Sequence, residues 1–181
     1  IEQVTRTHLE ELARKTSDSA ALCVLDGVEI VYVARASVRT LVRLEAHVGS
    51  RFPAHATSTG RVLLAGVSEE RLQHYFHTAR PEALTERTVT DVAKLRTLID
   101  ECRRTGHSVV ADELAYGVIA LAVPVLDQQG RVVAALNTSS HSRGISRSKL
   151  LRERLGMLQQ VSRRISTDLA VVPWLSLSAQ I

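Results

Sequence analysis

The sequence predicts an α+β domain: a six-stranded antiparallel sheet with flanking helices and a long C-terminal helix. Three observations carry this prediction. Short β-branched and apolar runs are joined by tight-turn residues such as Asp26-Gly27, a pair that accommodates the positive φ angles of a hairpin. Segments with helical spacing cluster between the third and fourth runs and at the two ends of the chain, instead of alternating with strands. From Ser146 onward, apolar residues recur at alternating steps of four and three residues, which is typical of one long helix.

Each predicted element has a local signal at an end. A hydroxyl cap near Thr57 begins a helix that Gly66 closes, and Ser68 caps a short helix directly behind it. Gly106 ends a longer helix that begins at residue 90 or 91. A first helix is predicted over 4–15. The predicted strands are 19–25, 28–34, 41–46, 107–112, 118–126 and 131–139.

Two helices have apolar faces that predict their buried sides. The helix before Gly106 turns four residues inward, and the C-terminal helix turns five. These are Val92, Leu95, Ile99 and Cys102 in the first, and Leu151, Leu155, Leu158, Ile165 and Leu169 in the second.

Composition limits the classes of protein that fit. A length of 181 residues suits one well-buried domain, and 45% apolar residues exclude a disordered chain. No apolar run approaches the roughly 20 residues of a membrane helix, and neither end resembles a signal peptide, so we expect a soluble cytoplasmic protein without a membrane partner. The net charge of +4 does not predict DNA binding, because the basic residues are scattered. The chain begins with Ile1, not Met, and we expect a segment before it.

No pattern predicts a metal, a cofactor or a disulfide. Cys23 and Cys102 lack a partner at ligand spacing and read as small buried side chains. His74 and His77 are one helical turn apart, but the Glu of H-E-x-x-H and a third ligand are missing, so a solvated helix end is the better interpretation. Asp112 and its neighbour Glu113 diverge on an extended chain, which argues against a shared proton.

A pocket is predicted on one face of the fifth and sixth strands. Val118 and Ala120 leave space on that face of 118–126, opposite a core-filling face. On the next strand the face with Val133 and Ala135 continues into the amide of Asn137 and the hydroxyl of Ser139. Small side chains ending in polar groups suit a small ligand with a polar end. The alternative is that the alanines admit a closely packed helix and the polar residues only end the strand.

The segment 49–65 predicts an anion site. Pro53 stiffens a loop that leads into a helix N-terminus, where free N–H groups and the helix dipole attract negative charge. Arg51 stands beside it and could bind a carboxylate through charge-assisted hydrogen bonds. Arg43 either points into the same cavity or faces water. Ser139 with His141 allows a hydrolase as an alternative, although no G-x-S-x-G sequence surrounds the serine.

Several motifs together resemble the effector-binding domain of IclR-type transcriptional regulators, and most closely the branch that senses aromatic acids and β-ketoadipate-pathway intermediates. The resemblance runs from about residue 8 to 169. Its motifs are Leu9-Glu10-Glu11-Leu12-Ala13, Leu25-Asp26-Gly27, Phe52-Pro53-Ala54-His55-Ala56-Thr57-Ser58-Thr59-Gly60-Arg61, Leu84-Thr85 with Thr88, Gly106, Glu113 with Gly117, Ala122-Val123-Pro124-Val125 and Ala134-Ala135-Leu136-Asn137.

The resemblance implies a GAF-like or profilin-like domain that is a sensor and not an enzyme, with no catalytic residue, cofactor or metal. It implies a linker helix over 1–18, an effector-binding domain over 19–170 and a tail over 171–181. The tail contains Trp174, and we expect another subunit to cover it. Combined with the strand and loop arguments, the resemblance places a small organic acid, aromatic or dicarboxylic, among nine residues. These are Arg43, Ser50, Arg51, Phe52, Val110, Val118, Ala120, Asn137 and Ser139.

The resemblance also implies a mechanism. The acid would bind one arrangement of loop and sheet better than another and so shift how a dimer or tetramer presents its DNA-binding heads. Operator DNA would be bound by a winged helix-turn-helix that precedes Ile1 and is not in this chain. Two alternatives stay open, a hydrolase that uses the same pocket and a ligand-free oligomerisation domain.

Overall fold

A computed structural model describes residues 2–38 and 46–170 of the chain. Within those ranges it contains one antiparallel sheet of six strands in the order β3-β2-β1-β6-β5-β4. The strands are β1 Ser19–Asp26, β2 Glu29–Ser37, β3 Arg51–Pro53, β4 Ser108–Ala111, β5 Val118–Leu126 and β6 Val132–His141. The helices are α1 Glu2–Thr16, α2 Ser58–Gly66, α3 Glu69–Thr78, α4 Val92–Thr105 and α5 Arg147–Ala170, with a 3₁₀ turn Ala54–Ala56 before α2.

The predicted fold class is confirmed, and the sheet contains one strand, β3, that the sequence analysis did not predict. The third strand of the sheet is β3, which pairs with β2 through Phe52 opposite Ile30. The strand predicted over 41–46 lies outside the described residues, except for Ala46, which has no strand geometry. The tail 171–181 with Trp174 also lies outside them.

The sheet separates two hydrophobic cores. On one face α1 and α5 cover the sheet, and Leu12, Leu121 and Leu158 are all buried between these layers. On the other face α2 packs on the sheet with α3 and α4 behind it, which buries Leu64 and Ile99. One sheet is therefore shared by both cores.

Capping residues bound the helices largely as predicted. Thr57, Ser68 and Asp91 each accept a hydrogen bond from the backbone N–H three residues on, and Gly106 adopts the left-handed conformation after α4. The prediction that Gly66 caps α2 is wrong, because it is the last helical residue. Its small size is needed there, since a Cβ would lie 2.4 Å from the Cβ of Val132.

Two buried faces differ from the prediction. Val92 is 43% exposed because it stands in the first turn of α4, before the helix reaches the core. In α5 the fully buried apolar residues are Leu150, Leu158 and Ile165, with Val161 nearly so, whereas Leu151, Leu155 and Leu169 are only half-buried against the same core. The buried face of α5 is therefore rotated by part of a helical turn from the predicted face.

Two β-bulges change which residues share a face. In β2, Tyr32 pairs with Cys23 and Ala34 with Leu22, so Val33 is an extra residue. In β6, Val133 is extra in the same way and packs toward α1 and α5. The prediction that Val133 shares a face with Ala135 is therefore wrong, because a bulge reverses the alternation at that point.

Candidate ligand-binding site

Two rows of paired residues cross the sheet on the face opposite α1 and α5. In antiparallel sheets directly paired residues point to the same side. The first row joins Ser19, Ser139, Ala120 and Val110 on four strands. The second row joins Arg35, Ala21, Asn137 and Ala122. Because Ala21 is small, the space between the Arg35 and Asn137 side chains, roughly 10 Å apart at the backbone, is open.

A cavity lies over these rows. Its empty space is about 310 Å³ when the part open to solvent is included. Only about 10 Å³ is wide enough for the centre of a water-sized sphere, which is room for about one water molecule. The described residues that line it are Ser19, Ala21, Tyr32, Arg35, Ala46, Val118, Asn137 and Ser139.

The cavity combines one cation with neutral polar groups. The Arg35 guanidinium donates to Ser19 Oγ at 3.3 Å, and the Asn137 amide donates to Ser139 Oγ at 3.4 Å. Among residues 2–38 and 46–170 no carboxylate lies within 4.0 Å of the Arg35 guanidinium. Burial raises the pKa of Tyr32, which the Asn137 side chain partly opposes, so its phenol stays protonated at neutral pH. Among the described residues the site therefore offers a positive charge without a competing carboxylate, together with hydroxyl and amide groups.

The predicted site residues fall into three groups. Val118, Asn137 and Ser139 line the cavity, and Ala120 and Val110 continue its first row. Near its Tyr32 side, Phe52 packs edge-on against that ring with 5.5 Å between ring centroids.

Two predicted residues act away from the lining, and one lies outside the described residues. Ser50 accepts from the backbone N–H of His47 through its hydroxyl and so orders the loop before β3. The Arg51 guanidinium is turned to the surface, where it donates to Glu29 at 2.8 Å and Asp26 at 2.7 Å. Arg43 is the residue outside the described ranges.

Sequence reasoning missed five lining residues: Ser19, Ala21, Tyr32, Arg35 and Ala46. Strict alternation places Tyr32 and Arg35 on opposite faces, because they are three residues apart. The extra residue Val33 brings both to the cavity face. Ser19 could have been found from the sequence, as the first residue of a strand whose alternate positions are small and apolar.

The segment before and within α2 has a structural role that its motif did not reveal. A Cβ on Gly60 would lie 2.1 Å from the carbonyl oxygen of Ala54, so the 3₁₀ turn and α2 touch through their backbones. Ser58 and Thr59, in the first turn of α2, are each 1% exposed. The N-terminus of this helix is thus enclosed by protein and capped by Thr57.

A buried ion pair fixes the same segment to the loop after β4. Arg61, 2% exposed, donates to Glu113 at 2.5 Å and to the carbonyl of His55 at 3.2 Å. Glu113 also accepts from the backbone N–H of Val89 at 3.1 Å. The segment after α3 is fastened to this loop, since Thr88 Oγ1 donates to the Glu113 carbonyl at 2.6 Å.

Asp112 and Glu113 have separate partners, but the chain is not extended there as the prediction assumed, because Asp112 adopts the left-handed conformation at φ 59°. Asp112 accepts hydrogen bonds from the backbone N–H of Gly117 and from Ser142 Oγ. Burial alone would raise the pKa of the Asp112 carboxyl, but these hydrogen bonds and the charge of Arg87 hold it below the usual value. Neither carboxylate faces the cavity lining.

The other chemical motifs do not form reactive sites in the described part of the chain. The Ser139 hydroxyl accepts a hydrogen bond from the Asn137 amide, and His141 Nδ1 accepts one from the backbone N–H of Arg143 at 3.2 Å. Ser139 and His141 are therefore not paired as nucleophile and base. Cys23 and Cys102 are buried free thiols whose pKa burial raises. Among the described residues no three His, Cys, Asp or Glu side chains group as metal ligands, and none of the helices is long and apolar enough to cross a membrane.

Comparison with known proteins gives consistent matches. Residues 1–167 match the family described as Bacterial transcriptional regulator IclR C-terminal. The Pca regulon regulatory protein of Pseudomonas putida is 37% identical over 163 residues, covering 90% of this chain and 56% of that protein. The p-hydroxybenzoate hydroxylase transcriptional activator of Acinetobacter baylyi is 33% identical over 168 residues, covering 90% and 62%. This chain thus spans about six-tenths of the length of these relatives.

A solved structure with a bound acid is also similar. It is the inducer-binding domain of the PobR transcription factor from Acinetobacter, a double mutant in complex with 3-hydroxybenzoic acid. The TM-score is 0.85 at 32% identity, over 92% of this chain and 97% of that one.

The fold and the cavity define a ligand-sensing domain. The chain belongs to the IclR family of bacterial transcriptional regulators, and it matches their C-terminal domain. The resemblance read from the sequence is confirmed, including the aromatic-acid branch. The prediction that this is not an enzyme is also confirmed, because the family and these relatives are transcriptional regulators.

Proposed function

We propose that the cavity binds a small aromatic acid, with the Arg35 guanidinium taking the carboxylate. The observation that carries the proposal is an arginine directed into an alanine- and valine-lined cavity without a carboxylate partner among the described residues. Charge-assisted hydrogen bonds from arginine to a carboxylate are the strong ones, and a ring fits apolar walls. The bound 3-hydroxybenzoate of the Acinetobacter inducer-binding domain supports this class of ligand.

The polar lining residues suit a hydroxyl group on the ring of the ligand. Asn137 supplies both an amide donor and a carbonyl acceptor, and Ser139 supplies a hydroxyl in the same part of the lining. A phenol can donate to one and accept from the other. A dicarboxylic acid would use Arg35 at one end and these neutral groups at the other, and we expect it to bind more weakly because its second charge meets no cation among the described lining residues.

Binding requires the cavity to enlarge. The cavity has room for about one water molecule, which is less than a benzoate ring needs. The contact between Arg35 and Ser19 is long, at 3.3 Å, and neutral on one side. An incoming carboxylate is a stronger partner, so we expect it to draw Arg35 away from Ser19 and open the space below.

The proposal extends to the whole regulator. A winged helix-turn-helix before residue 1 would bind operator DNA in the cytoplasm, and the domain would form a dimer or tetramer. The effector shifts the population between arrangements of the oligomer only as far as its affinities for them differ. Whether binding activates or represses is set by that difference.

The test is calorimetric titration and thermal melting with 3-hydroxybenzoate, protocatechuate and adipate as probes. The expected result is binding of at least one aromatic acid, with about 2.7 kcal/mol of stabilisation at 100 times its dissociation constant. Arg35→Gln should weaken it about 10- to 100-fold, since a hydrogen bond to a charged group contributes about 1.5–3 kcal/mol. Arg51→Gln is the matched control and should change affinity by less than about twofold.

A neutral analogue sharpens the assignment. With 3-hydroxybenzamide in place of the acid, wild type and Arg35→Gln should bind equally, because no carboxylate is present to lose its partner. If Arg51→Gln weakens acid binding and Arg35→Gln does not, the carboxylate lies beside the loop before α2 instead. If no acid binds the wild type, the ligand-free oligomerisation domain becomes the better interpretation.

A further inference from the structure

We infer that Asp18 is a positioning residue that carries occupancy of the cavity to the C-terminal end of α1, an inference that rests on the proposed function. Asp18 lies between α1 and β1 and is 8% exposed. It belongs to a polar cluster on the sheet face opposite the cavity. We call this cluster the Asp18 latch, and its members are Thr16, Asp18, Ser140 and Arg154.

The latch begins one residue from the cavity on two strands. Ser19 and Ser139 line the cavity and are paired across β1 and β6. Their chain neighbours Asp18 and Ser140 meet on the other side, where Ser140 Oγ donates to Asp18 Oδ1 at 2.5 Å. A ligand that displaces Ser19 or Ser139 therefore also moves the hydrogen-bonded pair of Asp18 and Ser140 on the other side of the sheet.

Arg154 of α5 connects this pair to α1. Its Nε donates to Asp18 Oδ2 at 3.2 Å, and its terminal nitrogen donates to the carbonyl of Thr16 at 2.9 Å. Thr16 is the last residue of α1, so its carbonyl has no partner within the helix. One guanidinium thus holds the carboxylate behind the cavity and the end of the helix together.

The turn between Thr16 and Asp18 is held in an unfavourable conformation. Ser17 has φ of 58°, a left-handed angle that is uncommon for residues other than glycine. Such angles persist where surrounding contacts impose them, and here the backbone N–H of Asp18 donates to Thr16 Oγ1 at 3.2 Å. Loosening the hydrogen bonds of Arg154 to Asp18 and Thr16 lets this turn relax, which gives the C-terminal end of α1 a second position.

The opposite part of α1 is tied separately. His8 contacts Asp168 of α5 at 2.6 Å, while Leu9 and Leu12 are fully buried against the sheet and α5. A change at the latch therefore moves the last turn of α1 relative to these contacts without detaching the helix. In the intact regulator α1 would connect the DNA-binding heads to this domain, and the latch lies at the end of α1 that meets the sheet.

The experiment is amide hydrogen exchange by mass spectrometry on the full chain, with and without saturating 3-hydroxybenzoate. In wild type the ligand should change exchange in residues 12–17 at least threefold. In Asp18→Asn and in Arg154→Gln this ligand-dependent change should fall below 1.5-fold, although each variant still binds the probe within about fivefold of wild type. Arg152→Gln, an exposed arginine on the same helix, is the matched control and should respond like wild type.

The outcomes separate coupling from stability. A purely structural role would raise basal exchange but leave the ligand-dependent change at the wild-type value, and that result would overturn the inference. Asp18→Glu, which keeps the charge, should restore part of the response. Where one variant does not fold, the other is decisive.

Failure of the proposed function is recognised in the wild type. If 3-hydroxybenzoate and protocatechuate do not bind it, the effector proposal fails first. The coupling inference then fails with it, and the ligand-free comparison tests only whether the latch holds α1: residues 12–17 should exchange at least fivefold faster in Arg154→Gln than in Arg152→Gln. Equal exchange would show that the latch does not hold α1.

Discussion

At the scale of single residues, two arginines show that chemical type is easier to predict than placement. The sequence predicts that an arginine supplies the positive charge, and the loop argument selects Arg51. The structure pairs Arg51 with Glu29 and Asp26 at the surface and directs Arg35 into the cavity. Nothing local to Arg35 distinguishes it in the sequence, because its direction depends on an extra residue two positions earlier.

His55 shows how a motif residue responds to its enclosure. It is 4% exposed, and its Nε2 lies 3.0 Å from the carbonyl of Glu82, to which a protonated Nε2 donates. Burial lowers the pKa of His55 below its usual value of 6.5 more than this hydrogen bond raises it, and the nearby Arg61 lowers it further. Burial likewise raises the pKa of Tyr75, its neighbour in the core, to about 12.

This pKa predicts a pH dependence of stability. Below pH 6.5 the unfolded chain binds a proton at His55 more readily than the folded chain, so the free energy of unfolding falls as pH decreases from there. His55→Gln should flatten the curve between pH 7.5 and 5.0, by at most about 1.4 kcal/mol per pH unit. Urea unfolding across that range measures the slope. His74→Gln, at an exposed position, should keep the wild-type slope, and an unchanged slope in His55→Gln would contradict the assignment.

At the scale of elements, hairpin order and helix caps were predictable because they depend on neighbouring residues. Asp91 and Gly106 bound α4 as predicted, and the alternation along β5 gave the correct core face. The two bulges were not predictable, because an extra residue is revealed only by its partner strand. They account for the misplaced face of Val133 and for the missed Tyr32 and Arg35.

The contact between α2 and the 3₁₀ turn predicts opposite effects for two glycine substitutions. Gly60→Ala places a methyl group 2.1 Å from a backbone oxygen, which cannot rotate away, and should destabilise the protein by about 1–3 kcal/mol or more. Gly156→Ala, at an exposed position of α5 where an added Cβ would have no heavy atom within 4 Å, should stabilise it by about 0.5–1 kcal/mol. Urea unfolding of both variants checks the pair. Equal effects would show that helix propensity alone governs these positions.

At the scale of the whole molecule, the sheet makes two cores depend on each other. Adjacent residues of β1 serve opposite sides, since Leu22 belongs to the core under α1 and α5, and Cys23 to the core under α2. Neither core can form without the same central strands. This dependence could be expected from central strands that are apolar on both faces, but the assignment of helices to faces required the structure.

A shared sheet predicts one cooperative transition. Leu158→Ala and Leu64→Ala each empty a fully buried position in a different core and should each lower the free energy of unfolding by about 2–5 kcal/mol. In both variants circular dichroism and tyrosine fluorescence should report the same midpoint. Leu84→Ala, at a side chain 43% exposed, is the control with little effect. Separate midpoints in either variant would mean that the two cores unfold independently.

The extra residue Val33 has a consequence for how binding preference can be changed. Ala34 and Ala36 serve the core beneath α1 and α5, while Tyr32 and Arg35 face the cavity from the same nine-residue strand. The proposed ligand contact of Arg35 and the core packing of Ala34 and Ala36 thereby lie at different positions of the strand. Substituting a neutral or acidic side chain at position 35 should redirect the pocket toward uncharged or cationic compounds while the scaffold stays intact, which makes this strand a practical starting point for engineered biosensors.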